Sequence, residues 1–369
     1  MAKPRKSVSN SDVFRSDLEE LYTASLLTGQ NAQTITVPGW GKTKLSLHMG
    51  RQVVGHDSTL LIECNPALQP DRIRGVTDIQ AMLKTGDVRR IVDGTPYDPN
   101  CYVCILDEVG RLSDIAFDLL IHATNDYLRP VRPVFWGTSN FAVKGQRTEA
   151  FRDRFALNYI PTLQMDELSV LQVAGGSRIE DMNFNLPDGQ AIMDVRNMVP
   201  TQASSEAVTA LVVALYRAVI STTEGKDFVK GLNPRRVEAW KDILFRVSAY
   251  YHGTNDFQTV HPAAAKVMRF AFPVQDPVEY SKWVAISAAV IDPAATAIET
   301  IRAEAYQKMV EIQSARGRER QEKMVELGRI KAEAEMALGE FGNDARSEEA
   351  IEDLQKLFIA FAQGKDALG

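Results

Sequence analysis

Residues 36–46 read TVPGWGKTKLS, and this stretch decides how the rest of the chain is read. It contains Gly41-Lys42-Thr43 in the setting of the pattern GxxxxGK[ST], with Thr36 where the pattern has its first glycine. Holding a phosphate requires backbone N–H groups that converge on an anion, a helix N-terminus behind them, and a lysine that reaches the outer phosphates. Gly39 and Gly41 let the backbone curl, Lys42 supplies the cation, and Thr43 is placed to bind Mg²⁺. Pro38, Gly39, Trp40, Gly41, Lys42, Thr43 and Lys44 therefore form the candidate nucleotide-binding loop. Thr36 is expected as the last residue of the preceding strand, before the loop wraps, where a small β-branched residue is tolerated. Alone, a Gly-Lys-Thr after a glycine is more often chance than a site, so the sequence around it has to carry the case.

Upstream, VFRSDLEELYTASLLT (13–28) has apolar residues at helical spacing and is ended by Gly29; a short β-prone run, TITV, leads into the loop. Downstream come the apolar runs STLLIECN and CYVCIL, then the helical SDIAFDLLIHATNDYL, then VRPVFWGTSN and FALNYI. Strands alternating with helices predict a parallel sheet covered on both faces. The run CYVCIL ends in Asp107 and Glu108, the arrangement in which an Asp holds the Mg²⁺ shell and the next Glu orients and deprotonates the attacking water. Two acids at a strand end are commonly just solvated. Following a phosphate loop, and followed by Val-Gly-Arg and a helix, the catalytic reading is the stronger one.

Composition sets the frame. The chain has 369 residues, 45% hydrophobic and 24% charged, which suits an ordinary globular protein of two or three domains. A formal net charge of -6 provides no global attraction for nucleic acid or anionic membrane. The N-terminus MAKPRKSVSNSD is polar, no apolar segment follows it, and no eighteen apolar residues run together, so a cytoplasmic protein without a membrane span is expected. Cys101 and Cys104 of CYVC, with Cys64, read as buried structural thiols, because residues three apart on a strand point to opposite faces. Five histidines lack metal-ligand spacing and receive no catalytic role. From Met165 the composition changes: GGSRIEDMNFNLPDGQ reads as a linker, and SSEAVTALVVALYRAVIS, NPRRVEAWKDILFRVSAYY and HPAAAKVMRFAF read as helices. Beyond Pro293 the chain is rich in Ala, Glu, Lys and Arg and predicts a long helix, its thin apolar stripe interrupted around RGRER. After a break at FGND, EEAIEDLQKLFIAFA places Ile351, Leu354, Leu357, Phe358 and Phe361 on one helical face.

Taken in order, VPGWGKT, ILDEVGRLSD, FWGTSNF, TEAFRDRFAL and LNPRRVEAW resemble the AAA+ ATPases, specifically the MoxR-like group related to magnesium-chelatase motor subunits. The resemblance covers about residues 18–273. It implies an α/β P-loop AAA+ core with helices on both faces of a parallel sheet, followed by an all-helical lid domain and a long C-terminal helical extension. The boundaries that go with it are an N-terminal tail at 1–17, the nucleotide-binding domain at 18–164, a linker and the start of the lid at 165–205, the lid at 206–292 and the extension at 293–369. It implies ATP and Mg²⁺ as cofactors, with Thr43 and Asp107 at the metal and Glu108 as the base. Asn140 of GTSN takes the place of the γ-phosphate sensor. Arg154 of FRDRF takes that of an arginine finger acting in trans, with Arg152 as its neighbour; such a finger can be worth ~10³–10⁵ in rate. Arg235 of Asn233-Pro234-Arg235 takes that of the second sensor, with Arg236 as the less favoured substitute. For an arginine in general, an exposed surface salt bridge is the commoner fate. Asn65 is either a clasp that holds Glu108 in an inactive rotamer or a plain turn former before Pro66.

By the same resemblance the protein is a ring ATPase, a hexameric homo-oligomer that remodels or assembles a protein partner in a chaperone-like way, commonly with a partner carrying a von Willebrand factor A domain. The stretch DYLRPVRPVFW is short for the pore-facing hairpin that related proteins insert there. Two other classes stay open. One is a scaffold ring locked by nucleotide. The other is a nucleic-acid motor, for which RGRER with Lys323, Arg329 and Lys331 speaks, although alternating Glu residues make a solvated helix face the better account.

Overall fold

The computed structural model describes residues 9–86, 88–124, 133–141, 154–161, 169, 179–221, 232–272, 274, 276–314, 317–339, 352 and 355. The chain divides into two compact units, Met1–Val284 and Ala285–Gly369.

The first unit opens with helix α1 (Asn10–Thr28), which begins earlier than its apolar spacing indicates because the Ser9 side chain caps it, accepting from Asp12 N–H. Gly29, at φ 71°, ends it in the left-handed region. Strand β1 (Ala32–Ile35) follows, two residues before the expected TITV register, so Thr36 lies just beyond the strand. Then come α2 (Lys42–Val54), β2 (Thr59–Glu63), the short α3 (Asp71–Arg74), and a small antiparallel ribbon, β3 (Val76–Thr77) and β4 (Arg90–Ile91), that brackets α4 (Ile79–Thr85). Strand β5 (Val103–Asp107) starts after Cys101, which therefore precedes the strand while remaining buried with Cys64 and Cys104. Helix α5 (Asp114–Thr124), β6 (Val134–Ser139) and β7 (Leu157–Tyr159) complete the sheet.

The five strands are parallel in the order β2-β5-β6-β1-β7. The α/β class read from the sequence is the one observed, and the burial of β5 and β6 explains their unbroken apolar runs. Register sets Glu63 opposite Asp107, Leu106 opposite Gly137, and Ile35 opposite Ser139, so the carboxyl ends of the strands lie flush. From β1 the chain runs toward the β2 edge, whereas from β6 it passes β1 to reach β7. That reversal opens a crevice at the carboxyl ends, where α/β sheets bind their ligands. In the core, Tyr22 of α1 stacks on Trp136 of β6 at 3.9 Å, and the indole N–H donates to Ser25 Oγ at 3.0 Å, so the ring is buried with its polar edge satisfied.

Helices follow: α6 (Gly189–Asn197), α7 (Gln202–Ser221), α8 (Pro234–His252), α9 (Pro262–Val267) and α10 (Pro277–Ile291). Helix α7 is long and apolar enough by composition to cross a membrane, with a mean hydropathy of 1.5; it buries Val208, Val212, Leu215 and Val219 and packs on α8. Helix α8 starts with Pro234 behind an Asn233 cap and buries Trp240, which stacks on Trp283 at 5.4 Å.

In the second unit, α11 (Pro293–Ser314) and α12 (Gly317–Gly339) pack on each other. The single long helix expected from composition is thus two. A thin stripe such as Met309, Ile312 and Leu327 is buried only when it has a partner, and folding back supplies one. Lys308 joins the pair, bonded to Glu311 of its own helix and Glu326 of the other. FGND and most of the closing segment lie outside the described residues.

Candidate nucleotide site

The loop after β1 is shaped by Gly39 (φ 98°) and Gly41 (φ 71°), conformations that a side chain adopts only with strain. Gly41 sits at the N-cap of α2, so Lys42 and Thr43 occupy the first turn and the helix N-terminus points into the loop. Lys42 is 7% exposed, and its ammonium donates to Thr36 O at 2.9 Å, Val37 O at 3.3 Å and Asn140 Oδ1 at 2.7 Å. Burial lowers the Lys42 pKa, and the nearby Glu108 and Asp107 carboxylates oppose that shift.

At Thr36, where the motif has glycine, the polar contacts are made by the main chain. Its carbonyl accepts from Lys42, its N–H donates to Ser139 O at 3.2 Å, and its side chain is buried. Trp40 is turned into the protein against Phe14, ring centroids 5.2 Å apart, where it walls the cavity beside the loop.

The flush strand ends bring in the rest. Asp107 Oδ1 accepts from Thr43 Oγ1 at 2.5 Å and from Thr138 Oγ1 at 2.7 Å. Glu108 has φ 56° and ψ 45°, and among the described residues no other non-glycine residue has a positive φ. Its carboxylate accepts from Asn140 Nδ2 at 2.5 Å, with Arg111 Nε 3.7 Å away. Burial first, then the charges of Asp107 and Glu108, push the Cys64 thiol up to about 12, which leaves it protonated and inert.

These groups line one cavity of about 720 Å³. Pro38, Gly39, Trp40, Gly41, Lys42, Thr43, Lys44, Asp107, Glu108 and Asn140 all border it, and so do Ser11, Phe14 and Arg15 of α1 and Ile179. Those last four, and Thr138 behind Asp107, were not singled out from the sequence. Phe14 and Arg15 carried only a helical periodicity signal, and nothing local ties them to a loop beyond the next strand.

The arginines lie elsewhere. Arg154 directly precedes the run into β7, partly buried, with its carbonyl accepting from Asn31 Nδ2 at 2.9 Å; it does not border this cavity. Arg235 is exposed at the start of α8 and does not border it either. Arg236 is buried and donates to Ala156 O at 2.9 Å, a contact that ties α8 to the segment entering β7. Arg152 falls outside the described residues. Of the two roles open to Asn65, the structure has the turn: it is exposed, and its Oδ1 accepts from Ala67 N–H at 2.9 Å.

A parallel sheet with a glycine-bent loop leading into a helix N-terminus, and an acidic strand end facing that loop, defines a P-loop α/β fold. No family model matches the chain, and no curated protein matches it. Among solved structures, a Cytophaga hutchinsonii protein provisionally described as an ATPase is similar at 18% identity, over 71% of this chain and 87% of that one, with a TM-score of 0.47.

Proposed function

We propose that this chain is a Mg²⁺-dependent ATPase of the AAA+ class and MoxR-like type. The observation that carries the reading is the convergence of Lys42 and Thr43, from the first turn of α2, with Asp107, Glu108 and Asn140, from the ends of β5 and β6, on one cavity. Lys42 and the loop N–H groups bind the polyphosphate, and Glu108 accepts the proton of the attacking water. The donors fit Mg²⁺. Thr43 Oγ1 and Asp107 Oδ1 are neighbouring hard oxygens, joined here by a hydrogen bond, and Mg²⁺ is held by one or two carboxylates together with substrate phosphates. When bound there, the ion would offset the charge that builds on the transferred phosphoryl group.

In this reading Arg154 acts on the nucleotide of a neighbouring subunit and Arg235 answers to the nucleotide from the lid side. The working form is therefore an oligomeric ring, of six subunits by family resemblance, that remodels a protein partner. Support for the trans role is that Arg154 follows the family motif yet does not border its own subunit's cavity.

The test is phosphate release from Mg-ATP across a protein concentration series, beside Glu108→Gln. A rate per subunit that rises with concentration and vanishes in the variant is the expected result. ATP bound without release in the assembled oligomer would replace the motor by a nucleotide-locked scaffold.

A further inference from the structure

The cavity has two ends. Asp107, Glu108 and Asn140 stand at the ends of β5 and β6, on one side of β1, whereas Phe14 of α1 stacks on Tyr159 of β7, on the other side of β1, with ring centroids 5.7 Å apart. The loop that follows β1 lies between them. A nucleotide whose outer phosphates sit at Lys42 and Glu108 therefore extends its base toward α1, where Ser11, Phe14 and Arg15 border the cavity together with Trp40 and Ile179. Ile179 closes over the loop, its Cδ1 3.4 Å from where a Cβ on Gly41 would stand. At about 720 Å³ the cavity has room for a whole nucleotide.

Phe14, Trp40 and Ile179 offer apolar surface to the faces of a base. Its edge must be met by polar groups, and the main-chain donors at the start of α1 are already used. Ser11 N–H donates to Ser169 Oγ at 2.9 Å, and the N–H groups of Asp12 and Val13 donate to Ser9 O at 3.1 Å. Reading the edge falls to side chains. Among the described residues the Arg15 side chain has one polar contact, Nη1 to Asp12 Oδ1 at 3.5 Å, at the outer limit of a hydrogen bond, while a guanidinium carries five N–H donors and no acceptor. The Trp40 indole also only donates, and the Ser11 hydroxyl can do either. Asp12, which Arg15 contacts, does not border the cavity. Adenine presents a donor, its N6 amine, beside the N7 acceptor, whereas guanine presents two acceptors, O6 and N7, which an arginine meets with two parallel N–H groups. A wall of donors suits guanine.

We propose that Arg15 is a specificity-determining residue that reads the base edge, and that the site takes guanine nucleotides as readily as adenine nucleotides. The proposal rests on the nucleotide reading above and names its ligand class, purine nucleotides with guanine included.

Titration calorimetry with ADP and with GDP, each with Mg²⁺, tests it without turnover. The proteins compared are the full chain, Arg15→Ala, Arg15→Gln and Lys42→Ala. GDP is expected to bind the wild type at least as tightly as ADP does. Arg15→Ala should shift the ratio of the two dissociation constants about tenfold against GDP, the loss of one bidentate contact. Arg15→Gln should shift it further toward ADP, because an amide accepts from N6 while donating to N7. A role in folding alone, or a contact with the phosphates, would weaken both ligands alike and leave the ratio where it was. ADP binding more tightly than GDP to the wild type, or a ratio unmoved in both Arg15 variants, overturns the role of Arg15; if Lys42→Ala still abolishes ADP binding, the nucleotide reading survives that loss. Binding of both diphosphates that is indifferent to Lys42→Ala overturns the nucleotide reading and the base reading together.

Discussion

Gln33 shows what a single residue can cost this fold. It lies in the middle of β1 with no exposed surface, facing Gly137 on one neighbouring strand and Asn158 on the other, and neither atom of its amide has a hydrogen-bond partner. A buried amide without a partner costs about 1–3 kcal/mol, and an apolar side chain of similar shape does not carry that penalty. Gln33→Met is therefore expected to stabilise the protein by about 1 kcal/mol, read as a higher urea midpoint at unchanged slope. A lower midpoint would show that the amide is satisfied in solution. Thr36 is the opposite case: it departs from the motif in its side chain, while main-chain atoms make the contacts at that position.

At the scale of elements, α1 is the strut between site and helical region. Its first turns border the cavity through Ser11, Phe14 and Arg15, and its middle carries Asp17 and Glu20, which Arg269 binds at 2.6 and 2.5 Å. Tyr159 also donates to Asp17, at 2.7 Å, and Lys266 pairs with Glu20 at 2.5 Å. Burial nonetheless outweighs Arg269 and raises the Asp17 pKa above 3.8. A raised folded value means that the folded protein favours the protonated acid. The stability this carboxyl contributes is fully present below its unfolded pKa, near 3.8, and is lost as the pH rises through the folded value. Asp17→Asn removes that loss. The stability of the variant relative to the wild type should grow as the pH rises from about 4 toward 7, as measured by urea unfolding at each pH. A constant difference across that range would mean that Arg269 compensates the carboxylate in full.

For the whole molecule, the proposed ring makes a prediction that no single subunit can satisfy. Arg154→Ala and Glu108→Gln each leave one half of a shared site intact. Mixed in equal amounts, they should regain part of the phosphate release that each lacks alone, because some interfaces pair a sound Glu108 with a sound Arg154. Mixtures as inactive as their components, in oligomers shown to exchange subunits, would place Arg154 outside the neighbour's site. In the second unit, α11 folds against α12, and the apolar face expected around Phe358 and Phe361 belongs to the undescribed closing segment.

By itself, the sequence determined what depends on neighbours in the chain. The glycines of the loop, the apolar runs of β5 and β6, the acidic pair that ends β5 and the Asn233-Pro234 start of α8 are each set by local backbone preference and periodicity. From these the α/β class and most of the loop's lining residues were legible. Only the tertiary structure decided what lies between distant segments. Thr138 shares Asp107 with Thr43, Asn140 rather than Asn65 holds Glu108, α1 walls the cavity, and Arg236 spends its charge on the carbonyls before β7. The physical reason is the sheet. Parallel strands in flush register bring their carboxyl ends to one edge, but which side chains then meet depends on strand order and on the crossovers, and short-range spacing holds no record of either.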